Sequence, residues 1–318
     1  MSVVELHYPE LWTTSLNPHA LEVEADTLKR ADASGLVVSG TPMFERLTVL
    51  RAGYFGGYSY PSATRGDLQV ICDFLAAWLL LDDHLELVLP HMRPEQQQAT
   101  CAKYMGALAG TGKEPYADVF IRAFANVGER LRERAATPTW YRFLASMAEY
   151  FEGVIDEIDV HENKPVVRER YLTFRGHASG AYPVLDLIEI AHAYALPLWS
   201  RTCPKLGLLR EHYANIICHA NDIASHSKDV EAGTANMIVV LVNEGMSVAA
   251  AVAETARLHD EAVAAFDQLA AQIEAERRDP LVANYIAQVR TLARGLLEWQ
   301  LRASRYQALQ SGRWLSVS

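Results

Sequence analysis

The sequence predicts an all-α protein, a single domain of about ten or more helices, on three observations. Long stretches carry apolar residues at helical spacing and are rich in Ala, Leu, Glu, Gln and Arg, which are good helix formers. Pro and Gly fall mostly between those stretches, at Pro90, Gly110, Gly112, Pro115, Pro138, Pro165, Pro197, Pro204, Gly245 and Pro280. No run of alternating apolar residues bounded by turns marks a sheet.

Taken in order, residues 1–40 are less periodic and are expected to be a partly irregular cap over the rest of a domain spanning 1–318. Asp67 to Leu89 is the first long helix, with Leu68, Ile71, Leu75, Trp78, Leu79 and Leu85 on a broad apolar face. Trp140 to Val160, His212 to Asp229, Val248 to Ile273 and Leu281 to Leu309 follow as four more. The most apolar run, Met237 to Val242, is cut by Asn243 and Glu244 and is far shorter than the roughly 20 residues that span a bilayer.

The 318 residues are half apolar, enough for a large core, and carry 29 Lys and Arg against 39 Asp and Glu, a net charge of −10. No basic stripe appears, which argues against a nucleic-acid partner. The first residues hold neither a basic nor an apolar region of the secretory kind, and Cys72, Cys101, Cys203 and Cys218 are scattered without zinc spacing. The expectation is a cytoplasmic protein with reduced thiols and no membrane span. An acidic protein that binds an anionic substrate needs local compensation from metal ions or a few well-placed cations.

Four segments carry chemistry. Asp82, Asp83 and Glu86 stand in Leu81-Asp82-Asp83-His84-Leu85-Glu86 at the end of an apolar helix. Asp82 and Glu86 share a face, with Asp83 beside them. Three carboxylates there repel one another near a helix C-terminus, where the macrodipole already disfavours negative charge. A divalent cation relieves that cost, and Mg²⁺ needs only one or two carboxylates per ion because water and phosphate oxygens complete its shell. The alternative is a solvated acidic helix end. Asn221, Ser225 and Asp229 recur at i, i+4 and i+8, on one helical face within a drift of roughly 80°. An amide oxygen, a hydroxyl and a carboxylate suit a hard cation, and Lys228 can meet a phosphate oxygen beside it. The alternative is an ordinary polar face. Arg175 precedes Gly176-His177-Ala178-Ser179-Gly180, which predicts a helix break with the helix resuming near Tyr182. Its planar fork suits phosphate oxygens, although a surface Arg is the commoner fate. Arg305 and Tyr306 form an adjacent donor pair near the C-terminus, or else a plain surface pair.

Together these segments resemble the class I terpene cyclases of the compact bacterial type. That family has an aspartate-rich motif, DDxx(D/E), matched by Asp82, Asp83 and Glu86, and a second metal motif, NDxxSxxK(D/E), matched by Asn221, Asp222, Ser225, Lys228 and Asp229. It has a diphosphate-sensing Arg about 46 residues before that Asn, and 221 − 175 = 46. It has a C-terminal Arg-Tyr pair some eighty residues after it, and 305 − 221 = 84. Tyr60-Pro61-Ser62-Ala63, Tyr171-Leu172-Thr173-Phe174-Arg175 and Trp299 fit the same frame.

The resemblance implies an antiparallel helical bundle around a deep apolar pocket, with the two metal motifs facing each other across its mouth. It implies three Mg²⁺ ions bound with the substrate diphosphate: Asp82 as the main ligand of the first motif, Asp83 as a secondary ligand or just behind it, Glu86 in the same set, and Asn221, Ser225 and Asp229 around another ion. Arg175, Lys228, Arg305 and Tyr306 would donate to diphosphate oxygens. A helix-break carbonyl that helps trigger ionisation falls on Ser179 or Gly180. The segment from His7 to Trp12 resembles the part that folds over the mouth. Trp78, one turn below Asp82, is expected to line the pocket with Leu75, Leu79, Ile217, Cys218 and Trp299. Farnesyl diphosphate is the leading substrate, with geranylgeranyl and geranyl diphosphate as alternatives, and a homodimer is compatible with the sequence. A prenyl-chain elongating synthase and a non-catalytic helical isoprenoid-binding protein are the rival readings; Asn221 and Ser225, where the elongating enzymes carry a second aspartate-rich motif, point to a cyclase.

Overall fold

The structure is a computed structural model that describes residues 4–112, 118–162, 166–302 and 315–317. Its helices are α1 (Ala20–Ala33), α2 (Pro42–Leu50), α3 (Ala52–Ser59), α4 (Arg65–Val88), α5 (Pro94–Ala109), α6 (Val119–Arg134), α7 (Thr137–Glu162), α8 (Arg168–Ala178), α9 (Ala181–Ala191), α10 (Pro204–Ala232), α11 (Met237–Asn243), α12 (Val248–Arg277) and α13 (Pro280–Arg302). Short 3-10 turns at Leu89–His91 and Leu198–Thr202 complete the helical content. One short pair of strands joins the two ends of the chain, β1 (Val4–Leu6) running parallel to β2 (Leu315–Val317). That pair departs from the expectation of no sheet: three residues are too few to show an alternating pattern. Within residues 1–40, α1 takes up Ala20–Ala33 and most of the remaining described residues are irregular.

The long helices begin and end for local reasons. In α4 the Thr64 hydroxyl caps the first turn by accepting from the Asp67 amide, and no Pro or Gly interrupts the helix after Gly66. Residues Leu68 to Leu81 are then buried without a gap, so α4 runs through the middle of the core rather than along its surface. Pro204 opens α10, and Gly233, at φ +70°, closes it in the left-handed conformation that an L side chain disfavours. Ser247 caps α12.

α4 packs against α1, α3 and α6, α7 against α8 and α9, and α10 against α12 and α13. The buried apolar side chains form one continuous cluster from Leu6 to Trp299. α13 approaches α3 closely at Gly295, where an added Cβ would stand 2.2 Å from the Tyr58 carbonyl oxygen. Asp186 and Glu189 of α9, both buried, meet Arg142 of α7; Glu189 also meets Arg201, and Asp186 meets Arg210 of α10. This network ties three helices together; none of its members lines the cavity described below. Among the described residues no helix is long and apolar enough to cross a membrane.

The N-terminal segment lies along α12. His7 meets Asp260, Tyr8 Oη lies 2.9 Å from His259 Nε2, and the Trp12 indole donates to Asp267 at 3.0 Å. No residue from His7 to Trp12 lines the cavity. His7, Tyr8 and Trp12 each find a polar partner on α12.

Candidate active site

One cavity of about 400 Å³ opens between α4, α7, the α8–α9 junction, α10 and α13. Its wall is apolar and its rim polar. Asp82 and Glu86 of α4, Glu157 of α7, Arg175 of α8, and Asn221, Ser225, Lys228 and Asp229 of α10 all line it. The two acidic segments singled out in the sequence are therefore brought together from different helices.

The first motif is split. Asp82 faces the cavity and accepts at Oδ1 from the Tyr150 hydroxyl at 2.6 Å. Burial pushes the Tyr150 phenol well above its ordinary range, so it stays a neutral donor. Asp83 does not line the cavity. One residue turns a helix by about 100°, which carries its carboxylate to α2, where Arg46 grips it at 2.5 and 2.8 Å. Asp83 thus braces α4 against α2 beside Asp82. Glu86 stays at the rim, 3.8 Å from the Lys228 ammonium across the mouth.

The second motif is tightly organised. The Ser225 hydroxyl donates to the Asp229 Oδ2 at 2.5 Å and shares its proton with the Asn221 carbonyl at 2.8 Å. Asn221 Oδ1 accepts from Arg175 Nη2 at 2.9 Å. Asp222, fully buried, points away from the cavity; it accepts from both Nε and Nη2 of Arg175, from the Tyr171 hydroxyl and from the Met237 amide. Burial, the largest single influence, lowers the Arg175 guanidinium, but Asp222, with Tyr171, Cys218 and Glu157 behind it, raises it further and holds the group charged.

Arg175 sits in the last turn of α8, three residues before the break. Ser179 caps α8 and its hydroxyl accepts from the Ala181 amide that starts α9. Gly180 stands between them at φ +68°, and a Cβ there would lie 2.1 Å from the Trp78 ring. Only glycine meets both conditions. Ser179, Gly180, Trp78, Leu79, Ile217 and Trp299 line the cavity as expected. Leu75 and Cys218 do not: Leu75 is fully buried toward α3 at Gly56, and the Cys218 thiol is turned to the Arg175 carbonyl at 3.7 Å. Arg305 and Tyr306 lie outside the described residues.

Four contributors escaped the sequence reading. Glu157 lines the rim, where burial and the carboxylates of Glu86, Asp82 and Asp229 push it up to about 7 against the pull of Arg175. Phe55 of α3 lines the wall, its ring stacked on Trp299 at 4.3 Å. Tyr150 and Asn236 each donate to a motif carboxylate. The i, i+7 step from Tyr150 to Glu157 puts both on one face of α7, but nothing local tells which face meets α4.

The donor set fits a hard divalent cation. Asp82, Glu86, Glu157 and Asp229 crowd one rim, and their mutual repulsion is relieved by positive charge. Ser225 keeps its oxygen lone pairs after donating its proton, and Asn221 presents an amide oxygen that Arg175 also holds. Among the described residues no three His, Cys, Asp or Glu side chains form a closed site by themselves.

Residues 73–265 match the family model described as terpene synthase family 2, C-terminal metal binding. The chain is 29% identical over 307 residues to the (+)-eremophilene synthase of Sorangium cellulosum, covering 96% of this chain and 92% of that protein. It is 27% identical over 271 residues to the (+)-T-muurolol synthase of Roseiflexus castenholzii, described as cyclising (2E,6E)-farnesyl diphosphate, with 82% and 80% covered. The germacradien-4-ol synthase structure from Streptomyces citricolor superimposes with a TM-score of 0.80 at 25% identity, over 93% of this chain and 98% of that one.

Proposed function

This chain belongs to the terpene synthase family, and from that premise we propose that it ionises farnesyl diphosphate in the cavity and folds the resulting cation into a cyclic terpene, releasing diphosphate. The observation that carries the reading is the convergence of Asp82 and Glu86 with Asn221, Ser225, Asp229 and Arg175 at the rim of an apolar cavity. When bound, Mg²⁺ would supply Lewis-acid stabilisation of the charge developing on the departing diphosphate. Asp82 and Glu86 would hold it from one side and Asn221, Ser225 and Asp229 from the other, with three ions as the number the family resemblance implies.

The chain's own cations act beside it. Arg175, fixed by Asp222, presents a charged planar donor to the diphosphate oxygens. Lys228, a third exposed at the rim, can leave Glu86 for a phosphate oxygen. Below them the wall of Leu79, Val154, Ile158, Val184, Ile217 and Leu296 shields the hydrocarbon from water, which would quench an allyl cation. The rings of Phe55, Trp78 and Trp299 offer π faces to the migrating positive charge. The Ser179–Gly180 break, held under the Trp78 ring, sets backbone carbonyls beside the same space.

Incubation with farnesyl diphosphate and Mg²⁺, read by diphosphate release and by gas chromatography of the organic phase, tests the reading. Cyclic C15 products support it. Parallel incubations with geranyl and geranylgeranyl diphosphate decide chain length. A longer prenyl diphosphate, formed when isopentenyl diphosphate is added, would replace cyclisation by chain elongation.

A further inference from the structure

The second motif is held in place by a residue outside it. Asn236 follows the Gly233 turn that ends α10, and is the N-cap of α11. Its side chain is fully buried. The amide nitrogen carries two protons, and both are used: one on the Asp222 carbonyl oxygen at 2.8 Å, the other on Asp229 Oδ2 at 2.8 Å. The amide oxygen accepts from the Ile238 amide at 2.9 Å, which caps α11.

Capping alone does not require asparagine, because Ser, Thr and Asp cap about as well. Of these residues only Asn adds two side-chain donors to the capping acceptor. Here both donors are spent on the second motif. One of them meets the Ser225 hydroxyl on the same Asp229 oxygen. Two donors on Oδ2 fix the plane of the carboxylate, and among the described residues Oδ1 takes no hydrogen bond. The same side chain thus ties the Asp229 carboxylate to the backbone of Asp222, whose carboxylate holds Arg175.

We infer that Asn236 is a positioning residue for cation binding: it orients the Asp229 carboxylate toward the Mg²⁺–diphosphate complex and couples α11 to the motif. This rests on the function proposed above. Donors of this kind, behind a ligating carboxylate, are typically worth about 10–100-fold in metal affinity.

Two substitutions separate positioning from capping. Asn236→Ala removes cap and donors together. Asn236→Ser keeps a capping oxygen but cannot reach Asp229. Binding is read by calorimetric titration of metal-free protein with Mg²⁺ and inorganic pyrophosphate, and folding by thermal melts without metal. The expected result is that Asn236→Ser melts above Asn236→Ala while both bind Mg²⁺–pyrophosphate about 10–100-fold more weakly than the parent. Wild-type affinity in Asn236→Ser would reduce the residue to a helix cap and overturn the inference, as would its failure to fold. Absence of Mg²⁺–pyrophosphate binding by the parent protein would overturn the proposed function itself, and the inference with it.

Discussion

Arg175 and Asp222 form a pair in which Nη2 stands 2.6 Å from Oδ1, with the carboxylate fully buried and the guanidinium 12% exposed. The same Nη2 reaches Asn221 Oδ1 at 2.9 Å. One guanidinium therefore bridges two consecutive residues of α10, one turned to the core and one to the cavity. A rim cation is made rigid by a carboxylate that itself never faces the rim.

Asp222→Asn should therefore harm both stability and turnover. It leaves the Arg175 charge without its counter-ion, and breaking a buried pair from one side typically costs about 3–5 kcal/mol. A thermal melt checks the first effect and a diphosphate-release assay the second. Arg175→Lys keeps the charge but cannot bridge Asp222 and Asn221 with one planar group. Turnover should fall strongly while the melt shifts less than in Asp222→Asn. Parental turnover in the Lys variant would remove Arg175 from the diphosphate site.

Chelation should stop turnover, and added Mg²⁺ should restore it. Asp82→Asn and Asn221→Ala should each lower turnover by about 10²–10³, the cost of removing one comparable electrostatic group elsewhere. Both side chains face the cavity, so circular-dichroism melts should stay close to the parent. Gross unfolding of either variant would shift its meaning from chemistry to structure.

His219, which does not line the cavity, gives a pH signature of its own. It is 5% exposed, and burial holds its imidazole down at about 3. Its folded value thus lies below the ordinary 6.5 of an unfolded chain. The unfolded state binds the extra proton between those values, so this contribution to stability is present above pH 6.5 and lost as pH falls toward 3. One proton sets a limiting slope of about 1.4 kcal/mol per pH unit. His219→Gln should flatten the acid limb of stability against pH, measured by urea denaturation from pH 7 to pH 4. An unchanged slope would mean the ring is solvated in the native state.

The frame of the site was readable because its chemistry is local. Asp82 with Glu86, and Asn221 with Ser225 and Asp229, fall at helical spacing, so each set shares a face before any tertiary contact is known. The break at Ser179–Gly180 was readable from glycine. What escaped depends on packing between distant segments. The sequence displays the identity of Asp83 but not the position of Arg46, which holds it to α2. Leu75 lies on the Asp82 side of α4, yet α3 covers it. Asn236 carries no local signal of its role, and its two donors gain meaning only when the Gly233 turn folds α11 back onto α10. The β1–β2 pair joins residues some 300 positions apart, and neither strand has a pattern of its own.

Product identity should be decided by the rings on the wall, and Trp78 and Trp299 are held there in different ways. Trp78 lies edge-on to Tyr150 at 5.4 Å and fills the space where Gly180 lacks a side chain. Trp299 is stacked on Phe55, and its indole donates to the Leu50 carbonyl at 2.8 Å. An indole face beside a desolvated cation is worth about 2 kcal/mol or more. Since about 1.4 kcal/mol is tenfold in a rate ratio, replacing either ring can redirect competing cyclisation and deprotonation steps. Trp78→Phe should change the product ratios with little loss of stability. Trp299→Phe should change them too, and in addition strand the Leu50 carbonyl, a cost of about 1–3 kcal/mol. Diphosphate release should suffer less than product fidelity in both, because the rim is left intact. Gas chromatography of the products beside a thermal melt of each variant separates the effects. If both variants keep the parental product profile and lose only thermal stability, the indoles serve packing, and the control of cyclisation passes to Phe55 and the aliphatic wall.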